Sequence, residues 1–506
     1  MNGEVLAFGL YFVMIIGVGF YFFLKDRHSS DEKDYFIGGR AMGPWVTAMS
    51  AQASDMSAWL LMGLPGSIMA FGFGQMWIGI GLALGTAANW IFVATRLRKF
   101  SKAAGDAITV PQYLSNRFAT KSHTLQIICA IIFFACFTVY VASGFVAGAS
   151  VFTTVFPNLS TSTAMIIFAV AMLACTFFGG FKAVCWTDFF QGILMLVAVL
   201  AVPIIVVATQ NLDTSVLETV YSYTDGASGQ VTECVFGTGL FTSSWKDIVS
   251  GLGWGLGYFG MPHILVRFMS IEKPSMVKKS ATVAIIWVVL SLGATCLIAY
   301  FGRMLLAEEL LTIGAQKTVF IVFARKLFPA FIAGVLMAAI IAASMSTADS
   351  QLLVASSSFT SDIYKPIIRK NDASDKEISF VSRLVVVIVS IVAYFIAASG
   401  SAWASSIMAM VENAWGLFGA AFGPVVLLSL FWKRFNYAGA VAGVIAGAVV
   451  DALWLLNLSA STGIYEILPG FVAGSIAAVV VSLMTKAPNA EVEAIFAAAT
   501  DPHVDD

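Results

Sequence analysis

Residues 45–70 read WVTAMSAQASDMSAWLLMGLPGSIMA. The ends of this stretch are apolar enough to enter a bilayer, but Ser50, Gln52, Ser54, Asp55 and Ser57 make its centre polar, five residues in eight. A carboxylate at the middle of a membrane helix costs roughly 2.5–3.5 kcal/mol on the mildest scale. Asp55 is therefore expected to have a partner, a water-filled cavity or a bound cation. A second stretch is just as unusual for a span: GLGWGLGYFGMPH at 251–263. Each glycine there costs about 1 kcal/mol relative to alanine in a helix, and Pro262 removes a backbone donor. Single glycines also serve close helix packing. The cluster as a whole predicts a broken helix, with a matching break near Asp55.

The chain around these two stretches is a membrane protein. Hydrophobic residues make up 59% of it and charged residues 11%, against roughly 25% charged in soluble domains. A spanning helix needs about 20 apolar residues. Thirteen candidates are centred on 5–24, 45–70, 73–95, 125–155, 163–180, 189–209, 249–269, 280–302, 328–352, 380–398, 403–431, 437–456 and 466–484. The expected fold is all-α, a single transmembrane domain over 1–506 with thirteen transmembrane helices. The first span follows Glu4 rather than a basic segment and is read as an uncleaved helix. With the N-terminus outside, thirteen helices put 23 of the 28 Lys and Arg on the cytoplasmic side. Only Lys246, Arg303, Lys317, Arg325 and Lys326 fall outside, and this asymmetry is what the positive-inside rule requires. The C-terminus is then cytoplasmic.

The two broken spans are five helices apart. Transporters built from two inverted repeats carry their interrupted helices at corresponding positions of the two halves. The expected division is an extra helix at 5–24, repeat 1 at 45–209, repeat 2 at 249–398, C-terminal helices at 403–484 and a cytoplasmic tail at 485–506. The end of that tail, EVEAIFAAATDPHVDD, is short and acidic and is expected to fray.

Other classes are excluded. A net charge of −1 gives no footprint for nucleic acid, and the basic loops need only the inner leaflet. No spacing of Cys and His suggests zinc or an iron–sulfur cluster, and five of the six cysteines lie in or beside spans, Cys234 alone in an external loop. There is no GxxxxGK[ST] run for ATP. No enzyme chemistry and no obligatory protein partner are expected.

A third polar cluster, AASMSTADSQ at 342–351, closes the apolar run FIAGVLMAAII. Hydroxyls in membrane helices usually bond back to the preceding turn. Beside a break near Asp55 they have a second use. A hard alkali cation is held by oxygens, which an unwound helix supplies as carbonyls and a neighbour as hydroxyls. Asp349 is expected to face the cytoplasmic vestibule. Trp254, Tyr258 and Pro262 recur at i, i+4 and i+8, on one helical face; Tyr140 lies inside the fourth span. Asp188, at the cytoplasmic mouth of the sixth, is either solvated or assists ion release. Glu412, Asn413 and Asp451 are further polar residues in or near spans, and His263 is either functional or a packing residue.

These residues carry a family resemblance over nearly the whole chain. The segments are DYFIGGRAMGPWVTAMSAQASDMSAWLLMGLPG (34–66), YVASGFVAGA (140–149), FFGGFKAVCWTD (177–188), GWGLGYFGMPHILVRFM (253–269), AASMSTADSQLLV (342–354), AFGPVVLLSLFW (421–432) and YEILPGFVAGSI (465–476). They resemble the solute:sodium symporter family, and the 253–269 run points to its proline branch rather than its sugar, iodide or vitamin branches. The resemblance implies a LeuT-like 5+5 core in the bacterial cytoplasmic (inner) membrane. It implies a sodium site from the carbonyls of Ala53, Met56 and Ala343 and the hydroxyls of Ser346 and Thr347, with Asp55 acting through its charge and helix geometry. Ser57, Tyr140, Trp254, Tyr258 and Pro262 match positions associated with L-proline, and Asp188 a position of intracellular sodium release. Gln52 and Ala58 stand where the proline branch carries glycines, and Glu412–Asn413 where it carries Ser–Tyr.

The expected activity is secondary active uptake: sodium-coupled entry of L-proline by alternating access, with Na+ as coupling ion and one sodium per proline. The alternatives are a sodium-coupled symporter of another small organic solute, a proton-coupled carrier using Asp55, and a sodium-linked sensor or channel. The lack of an appended regulatory domain opposes a sensor, matched broken helices oppose a simple pore, and the oxygen cluster at 343–347 opposes a proton carrier.

Overall fold

The computed structural model describes residues 3–26, 32–178, 180–224 and 230–501. Arg27 of the charge asymmetry, Gly179 of the GGF motif and the last five residues of the tail lie outside them. Among the described residues, ten helices are long and apolar enough to cross a bilayer. The elements that matter here are α1 (Gly3–Asp26), α2 (Pro44–Met56), α3 (Gly63–Phe71), α4 (Phe73–Ala103), α5 (Thr124–Val155), α6 (Thr161–Phe178) and α7 (Phe181–Thr209). They continue with α8 (Trp245–Gly253), α9 (Pro262–Ser270), α10 (Val277–Leu311), α11 (Ala330–Phe359), α12 (Asp375–Ala397) and α13 (Ile407–Phe431). The last three are α14 (Tyr437–Asn457), α15 (Ile467–Met484) and α16 (Ala490–Thr500).

Both expected breaks exist. α2 stops at Met56 because Ser57 takes φ 46°, ψ −173°, a left-handed conformation costing a non-glycine residue about 1–3 kcal/mol. A short 3-10 turn, Ala58–Leu60, leads on to α3. The break therefore precedes the GLPG motif, whose Gly63 is already the first residue of α3. Between α8 and α9 the chain runs as a 3-10 segment, Trp254–Phe259. Pro262 then opens α9, the position where a missing N–H is not a loss. The helical face expected to join Trp254, Tyr258 and Pro262 is interrupted before Pro262. Glycines here also serve packing: a Cβ on Gly255 would meet the backbone of Gly81 and Gly85.

Counting each broken pair once, five helical units run from Pro44 to Thr209. Four run from Trp245 to Ala397, and α13 is the fifth. α11 is the central pillar. Every residue from Leu336 to Ser358 is buried, and the helix packs against α1, α2, α5 and α7. Its polar run thus lies inside protein. Asp349, expected in a vestibule, is buried and accepts a hydrogen bond from Thr176 of α6.

Two further departures have local causes. The segment between α7 and α8 contains a hairpin, β1 (Tyr221–Thr224) with β2 (Val231–Cys234). It is held by Arg303, fully buried, which donates to the carbonyls of Thr219, Cys234 and Met69. The tail does not fray over its first part. Asn489 caps α16, Phe496 packs edge-on against Phe100 at 5.4 Å, and Glu493 pairs with Lys433 at 3.1 Å.

Candidate functional site

The end of α2 has two chemistries within three residues. A helix leaves its last four carbonyls without intrahelical partners, and its C-terminal end carries partial negative charge. On one side, the Ser346 hydroxyl donates to the Ala53 carbonyl at 2.8 Å and lies 3.1 Å from the Ala343 carbonyl. The Thr347 hydroxyl lies 3.5 Å from the same Ala53 oxygen. Ala53, Ala343, Ser346 and Thr347 are thus gathered as a buried group of uncharged oxygens, the donor set a hard alkali cation takes. Met56 is the last residue of α2 and lines the neighbouring cavity.

On the other side is a small cavity lined by Asp55, Met56, Trp59, Leu82, Tyr140, Trp254, Tyr258, Val411 and Trp415. The Tyr258 hydroxyl donates to Asp55 Oδ2 at 2.5 Å. The Tyr140 hydroxyl donates to the Asp55 carbonyl at 3.3 Å. The indoles of Trp59 and Trp254 stack with centroids 5.4 Å apart, and Tyr465 lies 5.3 Å beyond Trp254. The cavity is an aromatic box with one carboxylate. Asp55 faces this box, one residue from the end of the helix whose Ala53 carbonyl serves the oxygen group. Of the substrate residues expected from the sequence, Tyr140, Trp254 and Tyr258 line the box. Ser57 and Pro262 do not: Ser57 turns its hydroxyl back to accept from Trp59 N at 3.1 Å, and Pro262 starts α9.

Asp188 is fully buried and not solvated. It accepts from Ser50 Oγ at 2.7 Å and pairs with Arg267 at 3.1 Å. Arg267, equally buried, also donates to Ser50 and Ser350. The start of α2 and the end of α9 are stitched together beside this pair: Met42 N donates to Ser270 O at 3.3 Å and Glu272 N to Met42 O at 3.0 Å. Arg40 adds bonds to the carbonyls of Met269 and Ala107 and to Asp106. Burial, together with the nearby Arg98 charge, lowers Arg40 to about 10, so it stays charged at neutral pH. At Asp106 burial opposes the charged form, but the bond from Lys33 and the charges of Arg40 and Lys102 outweigh it and hold the carboxyl below its usual range.

Sequence reasoning missed several contributors. Arg267 was counted as a cytoplasmic charge. Trp59, Trp415 and Tyr465 were indistinguishable from other aromatics in a chain 13% aromatic. Asn89 sits in a π-helical stretch of α4 and donates to the Tyr258 carbonyl at 3.0 Å; π-bulges concentrate at functional sites, but nothing in the sequence marks this one. Glu412 and Asn413 lie just behind the box, where the Glu412 carbonyl accepts from Tyr465 at 2.7 Å and Asn413 donates to Glu466 at 3.0 Å. His263 is fully buried against Phe137.

Two broken helices that meet at a buried cavity beside an oxygen cluster define an ion-coupled secondary transporter, a multi-pass membrane protein and not an enzyme. The sodium:solute symporter family model matches residues 35–447, and the chain belongs to that family. A relative from Staphylococcus aureus (strain JH9), named a sodium/proline symporter, is 42% identical over 496 residues, 96% of this chain and 94% of its own length. Among solved structures, a Na+-coupled sialic acid symporter in a substrate-bound outward-open state superposes with TM-score 0.72 at 19% identity, over 97% of this chain and 99% of that one. Mhp1, a nucleobase-cation-symport-1 family transporter in a closed conformation, gives 0.54 at 12% identity, over 92% and 99%. The shared fold is therefore that of the LeuT-like transporters.

Proposed function

We propose that the protein takes up L-proline together with sodium, one ion per substrate, by alternating access across the bacterial cytoplasmic membrane. The observation that carries this reading is the double use of one helix end: Ala53 belongs to the oxygen group and Asp55, two residues on, to the aromatic box. Sodium bound by Ala53, Met56, Ala343, Ser346 and Thr347 would tie α2 to α11 and fix the turn that presents Asp55. The carboxylate adds the negative potential that draws the cation. The helix ends freed at the two breaks offer N–H groups to the proline carboxylate and carbonyls to its ammonium, while Trp254 and Tyr258 pack against the pyrrolidine ring. Tyr140 lines the same box and holds the turn through the Asp55 carbonyl. Ser57, by its strained φ, and Pro262, by opening α9, shape the breaks rather than the walls.

The name of the 42% identical relative supports the substrate. The arrangement also supports thirteen spans: the ten long helices, the two broken pairs and α6. The N-terminus is then outside and the C-terminus cytoplasmic. The second repeat runs to Phe431 rather than 398, because only α13 completes its five units. The stitched ends of α2 and α9 form the closed inner gate, and sodium leaves past Asp188 once Arg267 moves away. A membrane potential of 100 mV contributes about 2.3 kcal/mol per charge, roughly 50-fold accumulation. Tryptophan fluorescence of the purified protein, titrated with L-proline in sodium and in choline chloride, tests the reading. A saturable change confined to sodium is expected; an equal change in choline would refute ion coupling through this helix end.

A further inference from the structure

Trp415 is buried on α13 and lines the aromatic box. Its single donor is already committed: Nε1–H donates to the Trp254 carbonyl at 2.8 Å, at the point where the regular helix gives way to the 3-10 segment. The indole therefore has no polar group left for a ligand and presents only ring. Tyr258, whose hydroxyl bonds Asp55, stands edge-on to it with centroids 5.0 Å apart and planes at 83°. Trp415 thus touches both residues expected to pack on the substrate ring.

This wall has no freedom to retreat. Gly257 has no room for a Cβ because the Trp415 indole occupies the space. A Cβ on Gly419 would lie 2.8 Å from the Gly257 Cα, and one on Gly260 would lie 2.9 Å from the Gly423 nitrogen. α13 and the broken segment are in backbone contact on both sides of the indole. A closely packed interior resists a change of even one methylene, so a larger ligand cannot be met by sliding α13 outward.

We propose that Trp415 is a specificity-determining residue that sets the ring size the box admits, accepting a five-membered cyclic imino acid and rejecting the six-membered homologue. The proposal rests on the reading of the substrate as proline. One methylene in a hydrophobic pocket is worth roughly 10–200-fold in discrimination, and the indole supplies it.

The test is the ratio of kcat/KM for L-proline to that for L-pipecolate, which has one more ring methylene, measured with the full-length protein in proteoliposomes under an inward sodium gradient. Wild type is expected to favour proline by roughly 10–200-fold. Trp415→Phe and Trp415→Leu are expected to narrow the ratio about tenfold, mainly by admitting pipecolate. The ratio does not depend on the amount of folded protein. An unchanged ratio in whichever variant transports proline would overturn the proposal. So would variants that reach the membrane and bind neither compound, because Trp415 would then build the site rather than size it. Wild type that takes up neither compound would refute the substrate reading, and this inference with it.

Discussion

Replacing Ser346 with alanine should separate sodium binding from proline binding. The Ser346 hydroxyl lies 2.8 Å from the Ala53 carbonyl and 3.1 Å from that of Ala343, with no exposure to solvent. In the ion-free protein its loss removes one neutral hydrogen bond, a net cost of about 1 kcal/mol, and the Thr347 hydroxyl remains near the same carbonyl. With sodium bound, the lost oxygen faced a charge, and such contacts contribute about 1.5–3 kcal/mol. The difference falls on ion affinity. That difference is about 0.5–2 kcal/mol, and at about 1.4 kcal/mol per tenfold the sodium concentration for half-maximal proline uptake should rise roughly 2–30-fold in Ser346→Ala. At saturating sodium the maximal rate should return to within about twofold of wild type, because no wall of the aromatic box has changed. The assay is the initial rate of labelled proline uptake against sodium concentration. An unchanged sodium dependence, or a raised proline KM alone at saturating sodium, would refute the assignment of this oxygen to the ion.

Tyr258→Phe removes the donor at 2.5 Å from Asp55; losing a bond to a charged group costs about 1.5–3 kcal/mol, so proline KM should rise at least tenfold, and a KM within twofold of wild type would contradict the box. Asp188→Asn leaves Arg267 buried without its charge partner, at a cost of about 3–5 kcal/mol. Thermal unfolding should show a lower midpoint, largely recovered when Arg267→Gln is added; a single variant as stable as wild type would argue that the pair is not formed. Asp106 is held below its usual carboxylate range by Lys33, Arg40 and Lys102, against the effect of burial. A depressed carboxyl contributes its stability above its unfolded pKa, about 3.9, and loses it as pH falls through the lower folded value. The protection of amides at 38–42 and 269–272, taken relative to their intrinsic exchange rate at each pH, should therefore be flat from pH 8 to 5 and fall only below about pH 4; a loss of protection near neutrality would contradict this ion cluster.

The sequence made the breaks legible because both violate the cost of polar or glycine-rich helix in a bilayer, and the oxygen cluster because its hydroxyls recur on α11. It put the first break near Asp55, and the kink falls two residues on. The kink sits on Ser57, whose positive φ is imposed by tertiary packing, while the conspicuous GLPG motif merely begins α3. A tally of basic residues by side puts Arg267 inside and Arg303 outside but has no view of partners; both are buried, one on Asp188 and one on three carbonyls. Trp415 and Asn89 bond the carbonyls of Trp254 and Tyr258 across 161 and 169 residues of sequence, contacts that no local pattern encodes. The docked α16 was hidden by an acidic composition whose one buried face, Val492 and Ala499 with Phe496 on Phe100, is too short to register.

The central claim is that sodium and proline share the helix end at Ala53–Asp55. Uptake of labelled L-proline into vesicles under an imposed sodium gradient, an imposed proton gradient or neither tests it most directly. Accumulation driven by sodium alone, lost in Thr347→Ala at low sodium and restored at high sodium, is the predicted result. Accumulation driven equally by protons, or indifferent to sodium in both proteins, would contradict it.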